Sequence, residues 1–391
     1  MSLPTPVAGI PEGAAAGKAG WTREGFRAFV DREIAPFAGE WDRAERTPAE
    51  TIRRVAEVGY LGALLPREVG GAGMDTVTFG VLNEELGRGC SSIRSLLTVH
   101  SMVAFTVHRW GSRAQKERWL GLLARGETVA AFGLSEPGAG SDPSAIETEA
   151  APDGDGYVLR GRKKWTTYGQ VADLFLVFAR SEGKPVALLV ERETPGLTVQ
   201  PLRGITGTRA SMLAELRFDG CRVPRENRVA GPGFGIGVAL SALEVGRFSV
   251  ASGCVGILQA CLEASLAYAS ERVQFGAPLR EHQLVQRMIT DMATELRAAR
   301  LLCRRAAELR DAGDPSAPEE IFVAKYFAST AATRAALDAV QIHGANGCTE
   351  EYPVERYLRD TRVMEIIEGS TQIQQMTIAR NEFRAFDAAR S

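Results

Sequence analysis

Paired cysteines and clustered histidines are absent from this sequence of 391 residues. Its six cysteines lie far apart without a CxxC pair, and its four histidines show no HExxH or other ligand spacing. This scarcity argues against a structural zinc site. It also favours a reduced protein, so the cytoplasm is the expected location.

An excess of charge of one sign is also missing. The formal net charge is -2, from 46 basic and 48 acidic residues, which disfavours a general attraction to nucleic acid or to an anionic membrane. No apolar run is expected to reach the ~20 residues of a membrane-spanning helix. Residues 1–20 lack a basic segment followed by an apolar one, so they predict a flexible tail rather than a signal peptide.

What the sequence contains is a change of pattern along the chain. Residues 21–128 show helical periodicity, with Thr22 in a position to cap the first helix. Residues 129–234 hold short β-rich runs, including DLFLVFAR and PVALLVER on either side of a SEGK hairpin signal. Residues 235–391 return to four or five long helices with short links. This order predicts an α+β protein with three domains and a mostly antiparallel sheet.

One glycine-rich segment, GPGFGIG at 231–237, looks like a phosphate-binding loop. It lacks GxGxxG spacing after a strand, and no acidic residue follows a strand about 20 residues later, as a dinucleotide fold requires. We interpret the segment as a flexible hinge between the β domain and the final helices.

Five blocks carry a resemblance to a known family. They are AFGLSEPGAGSD (131–142), KKWTT (163–167), RVQFG (272–276), QIHGANG (341–347) and IIEGSTQIQ (366–374). In this order and spacing they resemble the acyl-CoA dehydrogenase flavoproteins, over nearly the whole chain after residue 20. The resemblance implies an N-terminal helical domain, a central β domain and a C-terminal four-helix bundle.

The resemblance also implies FAD as the cofactor. Main-chain groups near Phe132 and Leu134 and the Ser135 hydroxyl would bind the flavin ring, and Ser141 would lie at the entrance of the thioester arm. A flavin that accepts a hydride needs hydrogen-bond donors of this kind to spread the incoming charge. For an isolated motif, the alternative is an ordinary exposed turn.

The second block would place Trp165 and Thr167 against the same ring. Core packing is the alternative for Trp165. Thr166 departs from the family, which usually has an aliphatic residue at this position, and altered packing is the expected consequence.

A further set of residues matches positions that bind the FAD of a neighbouring subunit: Arg272, Phe275, Gln341 and Ala345. Ser370 and Gln372 match residues near the polar arm of that flavin, and a helix N-terminus suits its anionic pyrophosphate. A surface salt bridge is the alternative for Arg272. The resemblance therefore implies at least a homodimer, with a homotetramer as the family norm.

Glu368 stands among apolar neighbours, which make its charged form costly. A glutamate near a helix N-terminus is the structural alternative. By resemblance, Glu368 is the catalytic base that removes the α-proton of an acyl thioester while the β-hydride passes to flavin N5. Some members carry the base at the position of Gly246, which has no side chain to serve. Arg247 would organise the pocket, with a helix-surface arginine as its alternative.

Arg94 is the one charged residue in the run SSIRSLLTVHSMV (91–103). One interpretation is an arginine near a helix end that extends to solvent. The other follows from glutaryl-type members of the family, in which an arginine in a matching segment binds a distal carboxylate. Arg94 is then a substrate residue for a polar or anionic acyl end.

A second resemblance involves RSLLTVH and GTRASMLAELRF (207–218), which look like dehydrogenases that make hydroxymalonyl or methoxymalonyl extender units for polyketides. It favours a small hydroxylated acyl group on an acyl carrier protein over a short-chain or glutaryl-like acyl-CoA. The electron acceptor stays open among a partner flavoprotein, a quinone and oxygen. A redox-inactive scaffold is the remote alternative, and a colourless purified protein would support it.

Overall fold

The computed structural model describes residues 21–390, so the predicted tail at 1–20 lies outside the described part. Six α-helices form the first region: α1 (Arg23–Glu33), α2 (Ala38–Ala44), α3 (Ala49–Glu57), α4 (Thr76–Gly89), α5 (Ser91–Trp110) and α6 (Arg113–Arg125). Thr22 caps α1 as predicted, because its side chain accepts a hydrogen bond from the Gly25 N–H at 3.2 Å. The region is helical, as expected.

A β region follows, with eight strands: β1 (Ala130–Gly133), β2 (Glu149–Asp153), β3 (Gly156–Thr166), β4 (Leu174–Ser181), β5 (Lys184–Glu191), β6 (Leu197–Pro201), β7 (Ala214–Pro224) and β8 (Arg228–Val229). The main path of the sheet runs β6-β7-β3-β2-β4-β5-β8, and β1 pairs with β4. The β4–β5 hairpin closes at Ser181 and Lys184, as predicted. Most pairings are antiparallel, while β1 and β2 run parallel to β4. The sequence analysis missed β1, β2 and β8, which are short.

The last region is a helical bundle with one small hairpin. It contains α7 (Gly235–Glu271), β9 (Val273–Gln274), β10 (Ala277–Pro278), α8 (Gln283–Asp311), α9 (Ala317–His343), α10 (Val354–Met364) and α11 (Thr371–Ala388). The predicted hinge is shorter than 231–237, because α7 already begins at Gly235. Together the three regions confirm the predicted α+β class.

The helix α7 is central to the molecule and packs against α4, α5, α8 and α9. Its length and mean hydropathy of 1.5 over 18 residues would allow it to cross a membrane, and 67% of that window is buried inside the protein. The expectation that no apolar run reaches this length was therefore wrong. The core helix of a large bundle can be as long and as apolar as a membrane-spanning helix, because it is surrounded by other elements.

Glycines allow α4 and α7 to cross closely. A Cβ atom on Gly256 would overlap the Glu84 carbonyl oxygen and lie 2.6 Å from the Arg88 nitrogen. A Cβ on Gly87 would likewise overlap the Gly253 carbonyl oxygen. This crossing fixes α7 against the N-terminal helices and so brings α5 and α7 to the same site.

Candidate active site

Glu368 lies in the short link between α10 and α11. Its φ angle is 55°, and that of Gly369 is 96°, so two consecutive residues adopt the left-handed conformation. For a glutamate this conformation is unfavourable, and such strain is typical of functional sites. Ser370 then caps α11 by accepting a hydrogen bond from the Ile373 N–H at 3.4 Å.

Three buried side chains hold this turn through its carbonyl oxygens. Arg247 Nε donates to the Glu368 oxygen at 3.2 Å. Gln374 Nε2 donates to the same oxygen at 3.2 Å and to the Gly369 oxygen at 3.0 Å. Lys325 Nζ, on α9, donates to the Gly369 oxygen at 2.8 Å. Arg247 is thus a buried residue at the site and not a helix-surface arginine.

The Glu368 carboxylate faces a space that a glycine provides. Its Oε2 atom is shielded from water and has no hydrogen-bond partner among residues 21–390. A Cβ atom on Gly246 would overlap this oxygen and would lie 3.0 Å from the Met102 sulfur. Gly246 therefore contributes room for the carboxylate that the sequence analysis assigned as the base.

Burial raises the pKa of Glu368 to about 7, against the opposing effect of Arg247, Arg94 and Lys325. Burial also lowers the pKa of Lys325 to about 8. A general base works best when its pKa lies near the working pH, and Glu368 satisfies this condition near neutrality.

Arg94 is only 1% exposed, so the interpretation that it extends to solvent is wrong. Its guanidinium donates to Thr98 Oγ1 at 2.9 Å, to Ser95 Oγ at 3.0 Å and to the Met364 sulfur at 3.1 Å. Its Nε has no partner in the described chain. Gly253 leaves room for the side chain, since a Cβ there would lie 2.7 Å from Arg94 Cδ.

The hydroxyl groups around Arg94 belong to a buried chain of hydrogen bonds. Thr98 Oγ1 lies 2.5 Å from Ser249 Oγ, which donates to Asn83 Oδ1 at 2.5 Å. This chain links α5, α7 and α4, and it fixes the hydroxyl that Arg94 contacts. Burial lowers the pKa of Arg94, because the charged form loses solvation, and this outweighs the opposing effect of Glu368 and Asp360.

The residues predicted to contact the flavin ring lie where the end of β3 meets β1 and the segment after it. Trp165 has a φ angle of 66° at an irregularity of β3, and it is 52% exposed, so it does not pack in the core. Thr166 is buried and its hydroxyl has no partner in the described residues. Thr167 and Phe132 are partly buried. A half-exposed indole beside an unpaired hydroxyl suits a polar aromatic ring, so these residues fit FAD.

A buried ion pair supports the loop that carries Leu134, Ser135 and Ser141. Lys163 Nζ contacts Glu136 Oε1 at 2.6 Å and donates to the Leu134 carbonyl oxygen at 3.0 Å. The Ser135 carbonyl oxygen accepts from the Lys164 N–H at 2.8 Å. Ser141 is exposed at the far end of the loop.

The second group of predicted cofactor residues lies on the exterior of the helical bundle. Phe275 is 98% exposed with a φ angle of 53°, in the turn between β9 and β10. The other exposed members are Arg272, Gln341, Ala345 and Gln372. Exposure on this scale suits contact with another subunit, which is the role that the resemblance implies for them.

A cavity of about 310 Å³ opens beside Arg247. Its walls come from α5, α7 and α9 and include Phe105, Trp110, Glu244 and Phe322. The Arg247 guanidinium lies 4.5 Å from the centre of the Phe322 ring. The cavity therefore shares a wall with the residue that holds the Glu368 turn.

Two residues of this site, Lys325 and Gln374, were missed by sequence reasoning. Both are fully buried and both bind the carbonyl oxygens of the Glu368 turn. The only signal was the presence of a lysine in an apolar stretch of α9 and a second glutamine in α11.

Comparison with known proteins defines the class. The N-terminal, middle and C-terminal domains of acyl-CoA dehydrogenases match residues 21–127, 131–221 and 233–383. The chain belongs to the acyl-CoA dehydrogenase family. It is accordingly an FAD-dependent oxidoreductase that acts on acyl thioesters.

Three known proteins illustrate the similarity of this chain to other members of the family. Mitochondrial short-chain specific acyl-CoA dehydrogenase of Rattus norvegicus is 39% identical over 370 residues, covering 93% of this chain and 90% of that protein. Glutaryl-CoA dehydrogenase of Desulfococcus multivorans is 37% identical over 366 residues, covering 91% and 94%. The structure of FkbI, described as serving biosynthesis of a methoxymalonyl extender unit, has a TM-score of 0.86 at 36% identity, covering 92% and 99%.

Proposed function

We propose that this protein oxidises a short acyl thioester with a polar or negatively charged distal end. Glu368 removes the α-proton, and Arg94 binds the distal group. The observation that carries this proposal is the burial of Arg94 with hydroxyl and thioether neighbours and no carboxylate ion pair in the described chain. A buried guanidinium without a carboxylate is unfavourable, and a substrate anion would supply the missing partner.

Proton removal depends on the shielded carboxylate of Glu368. Its unpartnered Oε2 is free to accept a proton, and its surroundings place its pKa near neutrality. Arg247 holds the main-chain oxygen of Glu368 and so fixes where the carboxylate points. Strain at Glu368 is offset by these contacts.

FAD, when bound, supplies the hydride acceptor. We propose that Trp165, Thr167 and Ser135 hold the flavin ring, with Ser141 near the thioester arm. The exposed residues on the bundle, including Arg272 and Phe275, would contact the cofactor of a second subunit. The protein is then at least a dimer.

Two acyl groups satisfy the requirement for a distal partner of Arg94. A glutaryl-like group carries a full carboxylate, and the similarity to a glutaryl-CoA dehydrogenase supports it. A small hydroxylated three-carbon unit of the hydroxymalonyl type on an acyl carrier protein is the second candidate, supported by the similarity to FkbI. The unpaired charge of Arg94 suits either, because a guanidinium binds carboxylate and hydroxyl oxygens alike.

The test is anaerobic reduction of the FAD-loaded protein by a panel of thioesters. The panel contains glutaryl-CoA, butyryl-CoA, and the hydroxylated three-carbon unit on CoA and on a carrier protein. We expect Arg94→Met to lower kcat/KM for the polar substrate about 30-fold or more, since breaking a buried charged contact costs about 2–5 kcal/mol. Butyryl-CoA should react as before or faster.

Arg88→Met is the matched control, because Arg88 is also buried but pairs with Glu85 at 2.8 Å. This variant should affect both substrates equally through stability. If Arg94→Met also lowers both equally, Arg94 is a structural residue and the proposed acyl group is wrong.

A further inference from the structure

Lys325 is a buried cation that has no role in the reaction proposed above. It lies on α9 with no exposure to solvent. Its Nζ donates to the Gly369 carbonyl oxygen at 2.8 Å and lies 3.4 Å from the Glu365 oxygen. In the described part of the chain it forms no ion pair with a carboxylate.

The surroundings of Lys325 make its charge expensive to keep. Its helix neighbours Ala324 and Ala328 are buried apolar residues. A charge removed from water is tolerated only when polar groups compensate it. Two carbonyl oxygens provide part of this compensation, and the nearby carboxylate of Glu368 provides a negative charge.

The charged and titratable groups around Glu368 and Lys325 come from α5, α7, α9, α10 and the turn itself. They are Arg94, Glu244, Arg247, Cys254, Lys325, Asp360 and Glu365, together with Cys90, which directly precedes α5. The three that directly favour the charged form of Glu368 are Arg247, Arg94 and Lys325.

We propose that Lys325 is a positioning residue for Glu368, which fixes the Glu365–Gly369 turn and stabilises the ionised carboxylate while substrate is bound. This inference rests on the proposed role of Glu368 as the base. Arg94 becomes neutralised when an anionic acyl end binds it, so its help to Glu368 is lost at the moment of reaction. Lys325 binds neutral carbonyl oxygens, so an anionic acyl end at Arg94 does not neutralise it.

The test uses three variants of the FAD-loaded protein: Lys325→Gln, Lys325→Met and Lys325→Arg. Glutamine retains a hydrogen-bond donor without the charge, methionine removes both, and arginine keeps the charge. Two quantities are measured against pH: the rate of anaerobic flavin reduction at saturating substrate, and the infrared band of the Glu368 carboxyl group, assigned by comparison with Glu368→Gln.

Loss of the lysine charge should make Glu368 bind its proton more tightly. The acid limb of the rate profile and the infrared titration should therefore both move to higher pH, by about one pH unit, in the glutamine and methionine variants. At pH values below the acid limb of the rate profile, flavin reduction should be about 10-fold slower than in the parent protein at the same pH. Arginine should restore the parent profile at least in part.

An infrared titration of Glu368 that is unchanged in Lys325→Gln would overturn the inference. If Lys325→Met does not fold, the glutamine and arginine variants still decide it. Failure of the proposed function looks different, because Glu368→Gln would then reduce its flavin at the parent rate. The infrared titration still measures the effect of Lys325 in that case.

Discussion

At the residue scale, the Glu368 carboxylate depends on the absence of a side chain at position 246. A methyl group there would overlap Oε2, so Gly246→Ala should displace the carboxylate. A displacement of about 1 Å lowers a rate by as much as 10²-fold. We expect a loss of flavin reduction of that order, with FAD content unchanged, measured by anaerobic rapid mixing. A variant with the parent rate would show that the carboxylate has room to move.

Several residues at this scale were only partly predictable. The motifs identified Glu368 and Trp165, because their neighbours in sequence form a recognisable block. The burial of Arg94 was not predictable, since a charged residue near a helix start ordinarily reaches solvent, and only the packing of α5 under α7 prevents it. Lys325 and Gln374 escaped notice because their partners are carbonyl oxygens of a distant turn.

At the scale of elements, the crossing of α4 and α7 relies on Gly256. A Cβ at this position would overlap the Glu84 carbonyl oxygen, so Gly256→Ala must push the helices apart. Overpacking of this kind typically costs about 1–3 kcal/mol. We therefore expect a lower melting temperature, measured by calorimetry of the FAD-loaded protein.

Gly237→Ala is the matched control in the same helix, because a Cβ at Gly237 meets nothing within 4 Å. Alanine favours helix over glycine by up to about 1 kcal/mol, so this variant should be as stable as the parent or more stable. Equal melting temperatures for the two variants would contradict the close crossing.

The order of elements was well predicted from periodicity, whereas short strands were not. The β4–β5 hairpin has two long β-rich runs, but β1 and β2 have only four and five residues, and both also pair with the distant strand β4. Their pairing with β4 is set by the whole sheet and not by local preference.

At the scale of the whole molecule, the exposed Phe275 predicts a second subunit. An almost fully exposed phenylalanine in a left-handed conformation is unfavourable in an isolated chain. We expect Phe275→Ala to weaken the oligomer and to release FAD faster, measured by light scattering and by flavin fluorescence. Phe234→Ala is the control, because Phe234 caps the start of α7 and is less exposed than Phe275. This variant should change neither the oligomer nor the release of FAD. An unaltered oligomer with normal FAD retention in Phe275→Ala would remove this support for a shared site.

The proposed reaction depends on Glu368 as the base of an FAD-dependent dehydrogenase. Its most direct test is anaerobic flavin reduction in Glu368→Gln, which preserves the shape of the side chain and removes its ability to accept the proton. Because general-base catalysis contributes about 10²–10⁴-fold, we predict a loss of at least this size, with normal FAD content and an unchanged visible spectrum. Flavin reduction at close to the parent rate would contradict the central claim and place the base elsewhere.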